Sequence, residues 1–174
     1  QEAGYKVLLE VASPQFMGQK TYLHLFQEKR IDGMIYIGST AADTYLEDFL
    51  KFPFPFIQVG SYMPEVPLHF VTGDNEQGGY IATKHLLDLG HKNIGMITGH
   101  FGVISAHDRH AGYKKALLEA GIEYDENKVV FADFKEHTGF IAMQNLIKEG
   151  PTAVFCGNDL MAIGAIRALK KAGL

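Results

Sequence analysis

The side chains best placed for chemistry follow short apolar runs. They fall in six segments: Gly38-Ser39-Thr40, Gly60-Ser61-Tyr62, Gly73-Asp74-Asn75, Gly99 to Arg109, Asp133-Phe134 and Gly157-Asn158-Asp159. These segments are rich in hydroxyls, amides and carboxylates, which give paired donors and acceptors to a neutral polyhydroxylated ligand. The planar fork of Arg109 binds two ligand oxygens at once. Phe134 offers a flat apolar face to a sugar or purine ring. Each residue also has a plain structural reading. Asp74 and Asp159 read as helix caps, Asn158 as the holder of its own turn, and Phe134 as a core aromatic. Arg109 falls in the first turn of a helix expected from Asp108, where a cation opposes the helix dipole. A specific partner would explain it.

Signatures of covalent chemistry are missing. No G-x-G-x-x-G follows a strand, and there is no G-x-x-x-x-G-K-[ST] and no G-x-S-x-G elbow. Gly99-x-x-Gly102 is too common a spacing to mark an anion loop. His100, His107 and His110 cluster, but without H-E-x-x-H or a cysteine pair they make a poor metal set. Ser105, His107 and Asp108 share one turn and cannot form a nucleophile–base–orienter line. The expectation is a binding protein with no catalytic residue, no metal and no cofactor.

The elements that must hold these segments alternate along the chain. Strands are expected at Tyr5–Val11, Met34–Ile37, Pro55–Val59, His69–Val71, Ile94–Ile97, Val129–Ala132 and Ala153–Cys156. Helices are expected at Lys20–Lys29, Asp43–Lys51, from Asp74 to Gly90, and at Asp108–Ala120, Thr138–Glu149 and Leu160–Ala172. In the third helix Asp74 and Gln77 have the capping-box spacing, Ala82, Leu86 and Leu89 with Ile81 give its apolar positions, and Gly90 ends it. Strands alternating with helices argue for βαβ units and a parallel sheet. The strands are continuous apolar runs, as expected where both sheet faces are covered. In such sheets ligands bind beyond the carboxyl ends of the strands, which is where the six segments fall.

With 174 residues, 47% of them apolar and 21% charged, the chain is expected to pack a core of one large domain or two small lobes. Its net charge of −4 and scattered basic residues argue against direct grip on nucleic acid. The single cysteine, Cys156, lies in the run AVFC, so it reads as buried and inert, and no disulfide forms within the chain. No apolar run approaches the ~18 residues of a membrane span. The chain opens almost directly on a strand and stops at Gly173-Leu174, and a doubly wound sheet usually has more strands. A fragment is therefore expected.

The run DNEQGGYIATKHLLDLGHKNIGMITG resembles the effector-binding core of the LacI/GalR family of bacterial transcriptional regulators. So do RHAGYKKALLEAGI, DFKEHTGF and PTAVFCGNDLMAIGAIRALKKAGL, and upstream GYKVLLEV, KRIDGMIYIGS and PFPFIQVG. The resemblance covers essentially the whole chain in order. It implies an α/β fold of the two-lobed periplasmic-binding-protein type I, incomplete at both ends, with parallel sheets flanked by helices. The lobes would be residues 1–92 and 93–174, with a small effector in the cleft between them. By motif, Asp74, Ser105, Arg109, Phe134 and Asn158 match positions lining that cleft, and Asp159 belongs to the same Asn-Asp pair. The family's helix-turn-helix and hinge helix match nothing in this sequence. Operator-DNA binding is therefore implied for a parent homodimer in the cytoplasm, not for these residues. The effector implied is a sugar, sugar phosphate or similar polar metabolite, and no membrane partner is implied. A second reading is an extracytoplasmic sugar-binding protein that feeds a transporter, which would share the fold and the cleft.

Overall fold

A computed structural model describes residues 4–13, 16, 18–38, 43–51 and 54–174. Ser39 and Thr40 of the first candidate segment lie outside these. The chain divides into two compact units, Gln1–Val71 and Thr72–Leu174.

In the first unit, α1 (Thr21–Gln27) precedes β1 (Met34–Ile37), a 3-10 turn (Thr44–Leu50), β2 (Phe56–Val59) and β3 (Phe70–Val71). The strands are parallel in the order β1-β2-β3. Tyr22, Leu23, Phe26, Leu46, Phe49 and Phe56 form the core. Phe49 stacks on Phe56 with ring centroids 4.1 Å apart. Asp48, beneath this core, takes hydrogen bonds from Lys20, Lys51 and the Tyr22 hydroxyl. Burial, reinforced by the Asp48 carboxylate, pushes the Tyr22 phenol up to about 12.

Two expectations fail here. Tyr5–Val11 forms no strand. Its apolar side chains are exposed, 91% for Val7 and 88% for Leu9. An apolar run becomes a strand only where a neighbour accepts its ladder, and among the described residues β1 pairs with β2 alone. The sheet is also not covered on both faces. Met34 and Tyr36 point into the core, while Ile35 and Ile37 are 69% and 74% exposed.

The second unit runs α2 (Asn75–Asp88), β4 (Ile94–Gly99), α3 (Ile104–Glu119), β5 (Val129–Ala132), α4 (Glu136–Leu146), β6 (Ala153–Cys156) and α5 (Asp159–Lys171). Its parallel sheet has the order β5-β4-β6, with Met96 opposite both Val129 and Phe155. Every residue of β4 is buried. Ile94 and Met96 pack with Tyr113 and Leu117 of α3 on one face. Ile97 packs with Met143 and Leu146 of α4 and Met161 of α5 on the other. This is the doubly covered parallel sheet expected from the apolar runs.

Close helix pairs clad the two faces. A Cβ on Gly79 of α2 would lie 2.1 Å from the Arg109 carbonyl oxygen, and one on Gly112 of α3 would lie 2.0 Å from that of Glu76. Gly139 and Gly164 do the same for α4 and α5. This backbone approach corrects the apolar face expected for α2 in part: Ala82 and Leu86 are half-buried, with Leu86 packed against the Tyr113–Leu117 core. Gly79 and Thr83 are buried, whereas Ile81 and Leu89 are 57% and 63% exposed. The same packing ties α2 to α3, so the contact-defined units divide before α2, whereas the resemblance places the crossover after it. Gly90, at φ 92°, ends α2 as expected.

Candidate ligand-binding site

In the order β5-β4-β6 the chain leaves β4 toward one side and returns on the other. The carboxyl ends of β4 and β6 therefore flank a switch point, where open α/β sheets bind ligands. Gly99 ends β4, and Gly157-Asn158 follows β6.

Helix α3 starts at Ile104, four residues before the expected Asp108, with no side-chain cap. Arg109 is thus in the second turn, not the first, and the dipole argument for a partner lapses. Partners exist nonetheless. Arg109 Nε donates to Asn75 Oδ1 at 3.0 Å, and Nη1 donates to the Gly157 carbonyl at 2.6 Å. One guanidinium thereby joins the start of α2, the body of α3 and the end of β6. Ser105, one turn earlier, is 7% exposed.

Phe134 follows β5 with φ 65°, a left-handed conformation uncommon for a residue with a side chain. Its ring lies over Gly99, where a Cβ would stand 2.0 Å from Phe134 Cζ. Glycine at the end of β4 is therefore what lets the ring sit there. The ring is half-buried and packs on the α4–α5 core. The Phe134 carbonyl accepts a hydrogen bond from Asn158 Nδ2 at 2.9 Å. Asn158 also caps α5, its Oδ1 accepting from the Met161 amide at 3.0 Å. The cap is thus Asn158, and Asp159 is the exposed first helical residue, where its charge suits the dipole. Asp74 caps α2 by accepting from the Gln77 amide at 2.9 Å, and it too is exposed.

Arg109, Phe134 and Asn158 are therefore tied into one arrangement through Asn75, Gly99 and Gly157. Asp74 and Asp159 stand beside it as the neighbours of Asn75 and Asn158. Asn75, Gly99 and Gly157 lie inside the candidate segments, and Gly99 stands out in sequence only through its weak spacing to Gly102. Position after a strand was the available signal, and their partners are distant in sequence. Two open concavities, of about 250 and 520 Å³, lie elsewhere in this unit and include none of Arg109, Phe134 and Asn158.

The histidines join an aromatic cluster instead. His110 Nε2 and the Tyr124 hydroxyl are 2.8 Å apart. Phe101 lies 5.7 Å from His107 and 4.8 Å from His110 between ring centroids. Burial, then the charges of Lys114 and His107, hold His110 below the ordinary imidazole range. Beside Phe134, Asp133 is bonded to Thr138 and Lys135, which holds its carboxyl at about 2. Cys156 is partly buried, and burial pushes its thiol up to about 11.

The switch-point surface of this α/β unit thus carries an arginine, an aromatic ring and a capping amide. The chain belongs to the family described as periplasmic binding proteins and sugar binding domain of the LacI family, which matches residues 2–174. It is 38% identical over 177 residues to the HTH-type transcriptional repressor PurR of Photobacterium profundum, covering 99% of this chain and 52% of that protein. The chain spans about half the length of the curated relatives it matches. Among solved structures it is similar to a CelR transcriptional regulator in complex with cellobiose (31% identity, TM-score 0.88, 99% of this chain and 54% of that one). It is also similar to transcription regulator CcpA of Lactococcus lactis (28% identity, TM-score 0.87, 99% and 64%). Among the described residues no helix is long and apolar enough to cross a membrane.

Proposed function

We propose that this chain is the effector-sensing part of a LacI-type transcriptional repressor, and that its ligand is a small polar metabolite with a ring, such as a sugar, sugar phosphate or nucleobase. The observation that carries this reading is the joined set of Arg109, Phe134 and Asn158 at the carboxyl ends of the second unit's strands. Phe134 stacks on the ligand ring, Arg109 donates to its oxygens, and Asp74, Ser105 and Asp159 complete the polar surround. The names of the PurR, CelR and CcpA relatives, each a transcriptional regulator, support the regulatory role. One structural neighbour was solved with a disaccharide, which supports the ligand class.

In the parent protein, a cytoplasmic homodimer would read a two-fold operator through its helix-turn-helix domains. Effector binding would change operator affinity through a coupling of about 1–3 kcal/mol. No step of covalent chemistry is needed.

The test is a thermal-shift screen of sugars, sugar phosphates and nucleobases. A true effector at a hundred times its Kd stabilises the protein by about 2.7 kcal/mol. Arg109→Ala and Phe134→Ala should each abolish the shift while leaving the protein folded. A ligand that stabilises both variants as it does wild type would refute the assignment of the site.

A further inference from the structure

The side chain that holds Arg109 is Asn75, at the first position of α2. Asn75 is itself fixed. Its Nδ2 donates to the Gly73 carbonyl at 3.1 Å and to Thr72 Oγ1 at 3.3 Å. With the nitrogen engaged by two acceptors, the amide oxygen is the atom left to face Arg109. The Gly157 carbonyl takes Nη1 on another side of the guanidinium. A guanidinium has five N–H donors. These two bonds occupy Nε and one hydrogen of Nη1 and leave Nη2 with both of its hydrogens.

We propose that Asn75 is a positioning residue for ligand recognition. It locks the Arg109 fork in one plane before any ligand arrives, so that the unused Nη2 edge is presented to a ligand oxygen. The role rests on reading Arg109 as a ligand contact. The physical reason is entropic. A free arginine side chain samples many rotamers and must lose them on binding, whereas a fork already held by two acceptors does not. Both acceptors are neutral. Among the described residues no carboxylate pairs with Arg109, so its full positive charge is kept for the ligand. The ligand chemistry that fits is an acceptor-rich group, either a phosphate or a set of sugar hydroxyl and ring oxygens.

The chain has three arginines, Arg30, Arg109 and Arg167, which permits a direct test by ¹⁵N-arginine NMR. One Nε–H signal, assigned by its loss in Arg109→Lys, should be protected from exchange near neutral pH. Asn75→Ala should remove that protection, and Asn75→Asp, which keeps an acceptor oxygen, should restore it. Asn75→Ser, too short to reach Nε, serves the same purpose as Asn75→Ala if the latter does not fold. In cellobiose and glucose 6-phosphate titrations, Asn75→Ala should weaken any binding seen by about two- to tenfold, the cost of immobilising one long side chain. Unchanged Arg109 protection in both Asn75→Ala and Asn75→Ser would overturn the proposal. Failure of the ligand role is separable. Arg109→Ala would then leave the thermal shift intact while the Asn75 dependence of the NMR signal persists.

Discussion

Asn158 does two things with one amide: its oxygen caps α5, and its nitrogen holds the carbonyl of a left-handed phenylalanine. The two roles are separable by substitution. Asn158→Ala removes both and should cost about 1 kcal/mol for the cap alone, with more for the Phe134 carbonyl. Asn158→Asp keeps the capping oxygen and loses the donor, so urea denaturation should place it between Asn158→Ala and wild type. An Asn158→Asp protein as unstable as Asn158→Ala would mean that the bond to Phe134, not the cap, dominates. Gly99 supports the same ring from below, and Gly99→Ala should displace Phe134 and weaken ligand binding. The residue types at these positions were legible in the sequence, but their pairings were not. Arg109 meets acceptors 34 and 48 residues away, on other elements, and no local pattern encodes such a meeting.

The elements are held by backbone contact as much as by apolar stripes. At the α2–α3 crossing, Gly112 leaves no room for a side chain. Gly112→Val should force the helices apart and destabilise the second unit by about 1–3 kcal/mol or more, read as a lowered urea midpoint. Periodicity located α2 but assigned Ile81 and Leu89 to its packing face, because hydrophobic spacing cannot see a glycine contact between helices. The start of α3 was misplaced for a related reason. The expected start is Asp108, yet the helix enters four residues earlier, at Ile104, without a side-chain cap. At the head of α4, bonds from Thr138 and Lys135 depress the Asp133 pKa. A depressed carboxylate stabilises the fold above its unfolded pKa of about 3.9, and that contribution is lost as pH falls through about 2. Thr138→Val should therefore raise the Asp133 midpoint in an NMR titration toward the ordinary range. An unmoved midpoint would leave Lys135 as the source of the shift.

At the scale of the molecule, the two units differ in how their sheets are covered. β4 is buried along its whole length between two helix layers, whereas β1 exposes alternate residues and Tyr5–Val11 exposes nearly all. Hydrogen exchange should follow that order, with the amides of Ile94–Gly99 slowest and those of Tyr5–Val11 fast. Fast exchange throughout β4 would contradict the packing described. The sequence by itself determined the fold class, most of the alternation of elements and, through its resemblance to known regulators, the family. The elements are carried by local spacing, caps and apolar runs, which report on each segment alone, and the family by motifs that match in order along the chain. Tertiary structure decided the rest: that Tyr5–Val11 joins no strand among the described residues, that glycines set the helix crossings, and that Arg109, Phe134 and Asn158 are joined through Asn75, Gly99 and Gly157. Those outcomes depend on which distant groups come within hydrogen-bond or van der Waals reach, and only the folded chain fixes those distances.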